Sequence, residues 1–381
     1  MPRLDVAIVG AGPVGTTLAA LASEAGLSIA LFEARSAPSR DARTLALSHA
    51  SRERLEEARA WPREGVTPIT SIHISQRGGP GRTVLEARDQ DLPALGYTVS
   101  YATLEGALEA RLSEAGIPVA YGAACTGIEL SADVATLRLA GRDAVETRLL
   151  VLADGGANAL RIPGVGFMEK DYDQRAVVGA VTCDRAHGGR AYERFTTNGP
   201  MALLPVDERY GLVWTASPAE SERLLSLGDA AFLAELQEAF GDRAGRFEAV
   251  SGRAAFPLKL RAVNTPIALR TAIVGNAAQA LHPIAGQGLN LGLRDAGALA
   301  ALLREATPSS VGDAEMLTRY RDSRRRDAAR GVAFTDLLVS AFADKRPLVK
   351  WGRGLGLAAL DIFPPARLLL AERMIHGAPA P

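Results

Sequence analysis

The chain has 381 residues, of which 48% are hydrophobic and 23% charged, and Lys+Arg and Asp+Glu both number 43, giving a formal net charge of zero. That balance belongs to a folded enzyme rather than a disordered chain, and it lacks the basic excess of a nucleic-acid binder. The length exceeds one ordinary domain and predicts two interleaved ones around a large core.

In chain order, Leu4 to Val9 is a short apolar run that reads as a buried strand. Gly10-Ala11-Gly12-Pro13-Val14-Gly15 follows and opens an Ala/Leu-rich helix to about Ala25. A second apolar run, Ile29 to Phe32, ends at Glu33, 18 residues past Gly15. Strand, GxGxxG, helix, strand and acid together form a dinucleotide-binding fingerprint. Gly10 allows the tight turn, Gly12 lets a pyrophosphate approach the backbone, and Gly15 lets helix and strand pack closely. Glu33 is placed to accept hydrogen bonds from an adenosine ribose, and its charge disfavours a 2′-phosphate there. Pro13 and Ala34 flank the same candidate site. By itself the motif does not separate FAD from NAD.

Residues 1 to about 60 read as the first Rossmann piece. Ile69–Arg77 and Arg82–Ala87, around Gly78-Gly79, predict a β-hairpin. Thr103 is the predicted cap of a helix running to Ala115. Strands are expected at 117–121, 125–130, 133–140 and 145–153, then at 176–183, 201–205 and 211–215. Helices are expected near 218–226 and 229–240. The arginine-rich run Arg321 to Arg330 is interrupted by acids and reads as a solvated helix face. Cys125 and Cys183 form no framework and read as packing residues. The five histidines show no metal or hydrolase pattern. No targeting segment is read at the N-terminus, and no run reaches the ~18–20 apolar residues that span a bilayer.

Ile273 and Val274 end a further strand, and Gly275-Asn276-Ala277-Ala278 then makes a small-residue turn. After Pro283, Gly286-Gln287-Gly288 opens an apolar helix beginning with Leu289 and Asn290. Two glycine-framed loops around one proline predict a cofactor cradle over Gly275–Asn290, because the amides at such a helix start receive anionic or electron-rich groups.

The whole run from Gly275 to Asp295, GNAAQALHPIAGQGLNLGLRD, resembles the second FAD-binding motif of the flavoprotein aromatic hydroxylases. Two further blocks fall between the ends. Asp41 to Ser48 looks like the segment whose arginine, here Arg43, lies beside the flavin. Leu149 to Arg161, LLVLADGGANALR, is similar to the family's DG motif, which implies that Asp154 and Gly155 lie near the cofactor. Asn158 stands where serine is usual and Ala153 where glycine often precedes the acid. With Asn276 and Gln279 in place of the common Asp and His, the wording is most similar to the ubiquinone-biosynthesis branch, and within it to the 2-polyprenyl-6-methoxyphenol hydroxylases.

The resemblance implies an α/β fold: a Rossmann-type FAD-binding domain interleaved with a β-sheet substrate domain, and a helical C-terminal region, as in para-hydroxybenzoate hydroxylase. The expected partition is FAD-binding domain at 1–75, 101–165 and 266–310, substrate domain at 76–100 and 166–265, and helical region at 311–381. It implies FAD as cofactor, NAD(P)H as co-substrate, O₂, and a flavin C4a-hydroperoxide that hydroxylates a polyprenylated phenol. Pro283 would shape the flavin-facing loop, and His282 would assist phenol deprotonation. A single dinucleotide fingerprint fits a transiently bound NAD(P)H. So apolar a substrate implies a cytoplasmic enzyme peripheral on the inner membrane, or one within a ubiquinone-biosynthesis complex. The segment Leu348–Leu370, with Trp351, Leu355 and Phe363, has the composition of interfacial helices. Hydroxylation of a small soluble aromatic and a non-catalytic flavin subunit stand as alternatives.

Overall fold

The computed structural model describes residues 3–39, 41, 43–78, 81–196, 199–281, 287–343, 356, 359 and 361–376. Its centre is a sheet whose parallel strands lie in the order Thr271–Ile273, Val145–Leu152, Leu4–Val9, Ile29–Phe32 and Val119–Ala120. An antiparallel hairpin, Cys125–Leu130 and Ala135–Leu139, is added beside Val145. Parallel strands need crossovers, and the helix α1 (Pro13–Ala22) supplies the first.

After Asp5 the strand Leu4–Val9 is apolar from Val6 to Val9, because there both its faces are covered. Val6 and Ile8 pack with α1 and with Leu104, Leu293 and Tyr320, while Ala7 and Val9 pack against Leu137 and Leu152 on the other face. The other helices on the first face are α2 (His49–Glu57), α3 (Tyr101–Glu114), α6 (Gln287–Glu305) and α7 (Ala314–Ala343). The cap of α3 is Ser100 rather than Thr103: the Ser100 hydroxyl accepts the Thr103 amide at 3.0 Å, and Thr103 lies inside the first turn.

The second large sheet is mostly antiparallel, in the order Gln279–Ala280, Phe247–Val263, Phe167–Cys183, Arg209–Ala216, Gly199–Val206, Arg190–Thr196, Ser71–Gln76 and Arg82–Glu86. The last two strands form the predicted hairpin. The helices α4 (Pro218–Ser226) and α5 (Asp229–Phe240) bury Leu224, Phe232, Leu236 and Phe240 against its Val177, Leu203, Leu212 and Trp214. A small sheet of Thr44–Ser48, Gly96–Ser100 and Val66–Ile69 stands between the two large ones, with a Thr98 hydroxyl donating to the Pro205 carbonyl of the second. The C-terminal helix α8 (Pro364–His376) closes the far side, placing Ala371 and Ile375 on Ile74, Leu85 and Phe195.

The reading of Arg321–Arg330 as a solvated face fails at two positions. Arg324 and Asp327 are buried, because this face of α7 meets α6 and the acids there need partners. Cys125 and Cys183 are half-buried free thiols, and burial pushes the second up to about 11, as expected of packing residues.

Candidate functional site

The N-terminal motif forms the turn that its glycines predict. Gly10 has φ +104°, and a Cβ there would lie 2.6 Å from the Ala153 carbonyl oxygen. At Gly15 a Cβ would meet the Gly10 carbonyl at 2.2 Å, so helix and strand touch backbone to backbone. Gly12 differs: the nearest heavy atom to an added Cβ is the Tyr101 hydroxyl, at 3.7 Å. Gly12 is also the N-cap of α1, with Pro13 beside it, and no side chain caps the helix. The first-turn amides therefore face an opening rather than packed protein, which is what an approaching phosphate needs.

Glu33 directly follows the strand Ile29–Phe32, with its carboxylate fixed on the same turn. Its oxygens accept the Ala11 amide at 2.8 Å and the Arg35 amide at 2.9 Å, and Arg35 adds an ion pair. Burial works against its charge, but the Arg35 side chain and the two amides outweigh it and hold the carboxyl below its ordinary value. Arg35 also pairs with the buried Glu105 at 2.8 Å, tying this corner to α3. Ala34 is exposed beside it.

The other motifs converge on this turn. Arg43 lies over the Tyr101 ring at 5.5 Å, its guanidinium paired with Asp41, and its carbonyl accepts the Tyr101 amide. Tyr101 thus joins the Arg43 segment to Gly12. Asp154 follows the Ala153 that touches Gly10. Its carboxylate accepts the amides of Gly156 and Asn158, at 2.9 and 3.0 Å, and the Asn158 side-chain amide. Asn158 in place of serine therefore keeps a donor on Asp154. Gly155 and Gly156 both have positive φ, and Arg261 from the second sheet donates to the Gly155 carbonyl.

Gly275 begins a tight turn with φ +61°, and its Cα packs beside Gly292 of α6 against Val14 of α1. Asn276 is exposed, and a Cβ at Gly288 would lie 3.8 Å from its side-chain oxygen, so the two loops of the predicted cradle face one another. Leu289 is half-buried. Asn290 is bound to protein: its side-chain oxygen accepts the Ser48 amide and the Ser51 hydroxyl, and its amide donates to the Ala46 carbonyl at 3.1 Å. It fixes α6 to the strand that leads from Arg43. His282, Pro283, Gly286 and the side chain of Gln287 lie outside the described residues.

One group that motif reading left unassigned organises this end of the site. Asp295 is buried, and one of its oxygens accepts both the Gly275 amide at 3.0 Å and the Gln279 side chain at 2.6 Å. The other accepts from Arg324 at 2.7 Å, and Arg324 continues to Asp327, which Arg294 also binds. Burial opposes the Asp327 charge, and the two arginines outweigh it, keeping the carboxyl low. The sequence signal was present in part, since Asp295 closes the glycine-rich run.

The backbone opening at Gly12, the uncapped helix start and the anchored Glu33 suit a dinucleotide, and comparison with known proteins decides which family supplies it. The FAD binding domain family matches residues 3–335. The chain belongs to that family. Among its relatives, the ubiquinone hydroxylase UbiL of Rhodospirillum rubrum is 35% identical over 379 residues, covering 96% of this chain and 88% of that protein. The 3-demethoxyubiquinol 3-hydroxylase of Escherichia coli is 30% identical over 375 residues, 94% of each chain. In fold, the chain is similar to the p-nitrophenol 4-monooxygenase PnpA from Pseudomonas putida, with a TM-score of 0.77 at 19% identity, over 98% of this chain and 99% of that one. It is also similar to HpxO of Klebsiella pneumoniae in complex with FAD, with a TM-score of 0.79 at 17% identity, covering 99% and 100%. This flavoprotein is an FAD-dependent monooxygenase, with the para-hydroxybenzoate hydroxylase-like fold expected of it.

Proposed function

We propose that this flavoprotein uses FAD, NAD(P)H and O₂ to hydroxylate a polyprenylated phenol in ubiquinone biosynthesis. The observation that carries this reading is the convergence of all four motif blocks on the Gly12 turn, in a chain similar along nearly its full length to ubiquinone hydroxylases. When bound, FAD supplies the activation of oxygen, so the protein needs few acids and bases of its own. Gly12 and the α1 amides would take the pyrophosphate, and Glu33 the ribose. Arg43, Asp154-Gly155 and the Gly275–Asn290 cradle would surround the flavin, and His282 and Pro283 would line its substrate side. The second sheet would roof the ring and exclude water. The test is quinone profiling by mass spectrometry after gene deletion. The expected result is loss of ubiquinone with accumulation of a prenylated phenol one hydroxyl short, and unchanged ubiquinone sinks the proposal.

Asp154 is expected to act on the cofactor's side through its turn. Asp154→Ala frees the amides of Gly156 and Asn158, and should slow flavin reduction by NAD(P)H or weaken FAD retention while the fold persists. Stopped-flow reduction at the wild-type rate with full FAD content would count against it.

A lipid-dissolved substrate also requires contact with a membrane surface. Among the described residues, no helix is long and apolar enough to cross a membrane. Around α8, however, Ile362, Phe363 and Leu369 are exposed large apolar side chains. Leu369 also lines a groove of about 1150 Å³, whose walls include Arg54, Arg321, Arg325, Arg330 and Arg373. Exposed apolar side chains beside arginines suit an anionic bilayer surface. Trp351 and Leu355 lie outside the described residues. Burying three such side chains at about 1.5–3 kcal/mol each is enough for reversible attachment. Replacing Ile362, Phe363 and Leu369 with serine should lower co-sedimentation with anionic liposomes at least several-fold and spare FAD binding. Unchanged sedimentation would assign these residues to another contact.

A further inference from the structure

Glu193 lies on the strand Arg190–Thr196, and the sheet register places it in one cross-strand row with Ile74, Ala202, Val213, Val178 and Ala254. Those five neighbours are all apolar, and beyond Ile74 the row ends at the buried Thr83 of the edge strand. The neighbouring positions Tyr192, Leu203, Leu212 and Val177 point to the opposite face and are buried under α4 and α5. The face that carries Glu193 therefore looks toward the other half of the molecule. Gly211, two residues before Val213, marks where it looks: a Cβ there would lie 3.2 Å from the hydroxyl of Thr44, the residue after Arg43. Beside Glu193 the same face is closed by Ala371 and Ile375 of α8, packed on Ile74 and Phe195.

The acid differs from the other enclosed carboxylates of this chain. Glu33, Glu105, Asp295 and Asp327 each accept hydrogen bonds or ion pairs. Glu193 has none among the described residues, and burial alone pushes its carboxyl up to about 8. Yet it keeps some accessible surface, as do Ala202, Val213, Val178 and Ala254 along its row. Partial exposure along this face leaves the carboxyl within reach of a ligand bound against it. A buried carboxyl without a partner costs stability, and a ligand that hydrogen-bonds it recovers that cost.

We propose that Glu193 is the polar anchor of the substrate cavity, binding the ring hydroxyl of a neutral phenol and disfavouring aromatic carboxylates. The inference rests on the phenol-hydroxylase reading above and adds to it the residue and the ligand class. Burial favours the protonated carboxyl, which donates one hydrogen bond and accepts another, matching a phenol hydroxyl, which does the same. A ring carboxylate would need a cation, and beside Glu193 this row of the wall offers Ile, Ala, Val and Thr.

The test uses the FAD-loaded full chain, with 2-geranylphenol and 3-geranyl-4-hydroxybenzoate in detergent as probes. Binding is read from the perturbation of flavin absorbance, and turnover from product. The wild type should bind the phenol at least about tenfold more tightly than the hydroxybenzoate. Glu193→Leu should weaken phenol binding about tenfold or more at unchanged FAD content, the size expected for one buried hydrogen bond. Glu193→Gln, which still donates and accepts, should fall between them. If Glu193→Leu and Glu193→Gln both bind the phenol as the wild type does, the anchor is overturned while the hydroxylase reading stands. If the wild type neither binds nor hydroxylates the phenol, both are overturned.

Discussion

Gly12→Val is expected to fold and to lose its flavin. The two outer glycines of the turn are spent on packing, since a side chain at Gly10 or Gly15 would be driven into backbone within 2.6 Å. Gly12 alone opens outward, with only the Tyr101 hydroxyl near, at 3.7 Å. A valine there can be accommodated by the protein, but its methyl groups occupy the approach to the α1 amides. Losing close pyrophosphate contact removes several hydrogen bonds to a charged group at about 1.5–3 kcal/mol each, and every 1.4 kcal/mol is a factor of about ten in affinity. The purified variant should therefore be colourless, with a circular dichroism spectrum like that of the wild type. Gly15→Val should instead reduce soluble yield, because the Gly10 carbonyl stands 2.2 Å from its Cβ. Full flavin content in Gly12→Val would move the cofactor away from this turn.

The contrast among these glycines shows what a sequence can and cannot carry. Spacing alone identified the strand, turn, helix and acid of the first motif, because each follows from local backbone demands. The hairpin over Ser71–Glu86 and the helices Pro218–Ser226 and Asp229–Phe240 were legible for the same reason: turn residues and apolar periodicity are local signals. The cap of α3 was ambiguous locally, since Ser100 and Thr103 stand three residues apart and bond to one another at 2.7 Å, and only the backbone geometry shows which lies outside the helix. Arg324 was illegible for a different reason. A run of charges reads as solvated because isolated charges are costly to bury, and its partner Asp295 lies 29 residues away on another helix. Glu193 was hidden likewise, because its meaning depends on neighbours drawn from five other strands.

Asp295→Ala is expected to be the most destabilising single change near the site. The carboxylate holds the Gly275 amide and the Gln279 side chain with one oxygen and Arg324 with the other. Removing it leaves an amide and a side-chain donor unsatisfied in a buried place, and leaves Arg324 with Asp327 as its remaining acid among the described residues, while Arg294 competes for that same acid. Breaking one side of a buried ionic network costs about 3–5 kcal/mol, a large share of the roughly 5–15 kcal/mol that holds a domain folded. At about 2–4 °C per kcal/mol for a chain somewhat smaller than this one, the melting temperature should fall on the order of 10 °C. Flavin should be lost as well, because the freed turn is the one that begins the Gly275–Asn290 cradle. Asp295→Asn keeps an acceptor for the turn or for Arg324 but not the charge, so its melting temperature should lie between those of the alanine variant and the wild type. Thermal melts followed by flavin fluorescence and by circular dichroism would separate the two effects. An alanine variant that melts at the wild-type temperature with its flavin intact would show that the turn is held by other contacts.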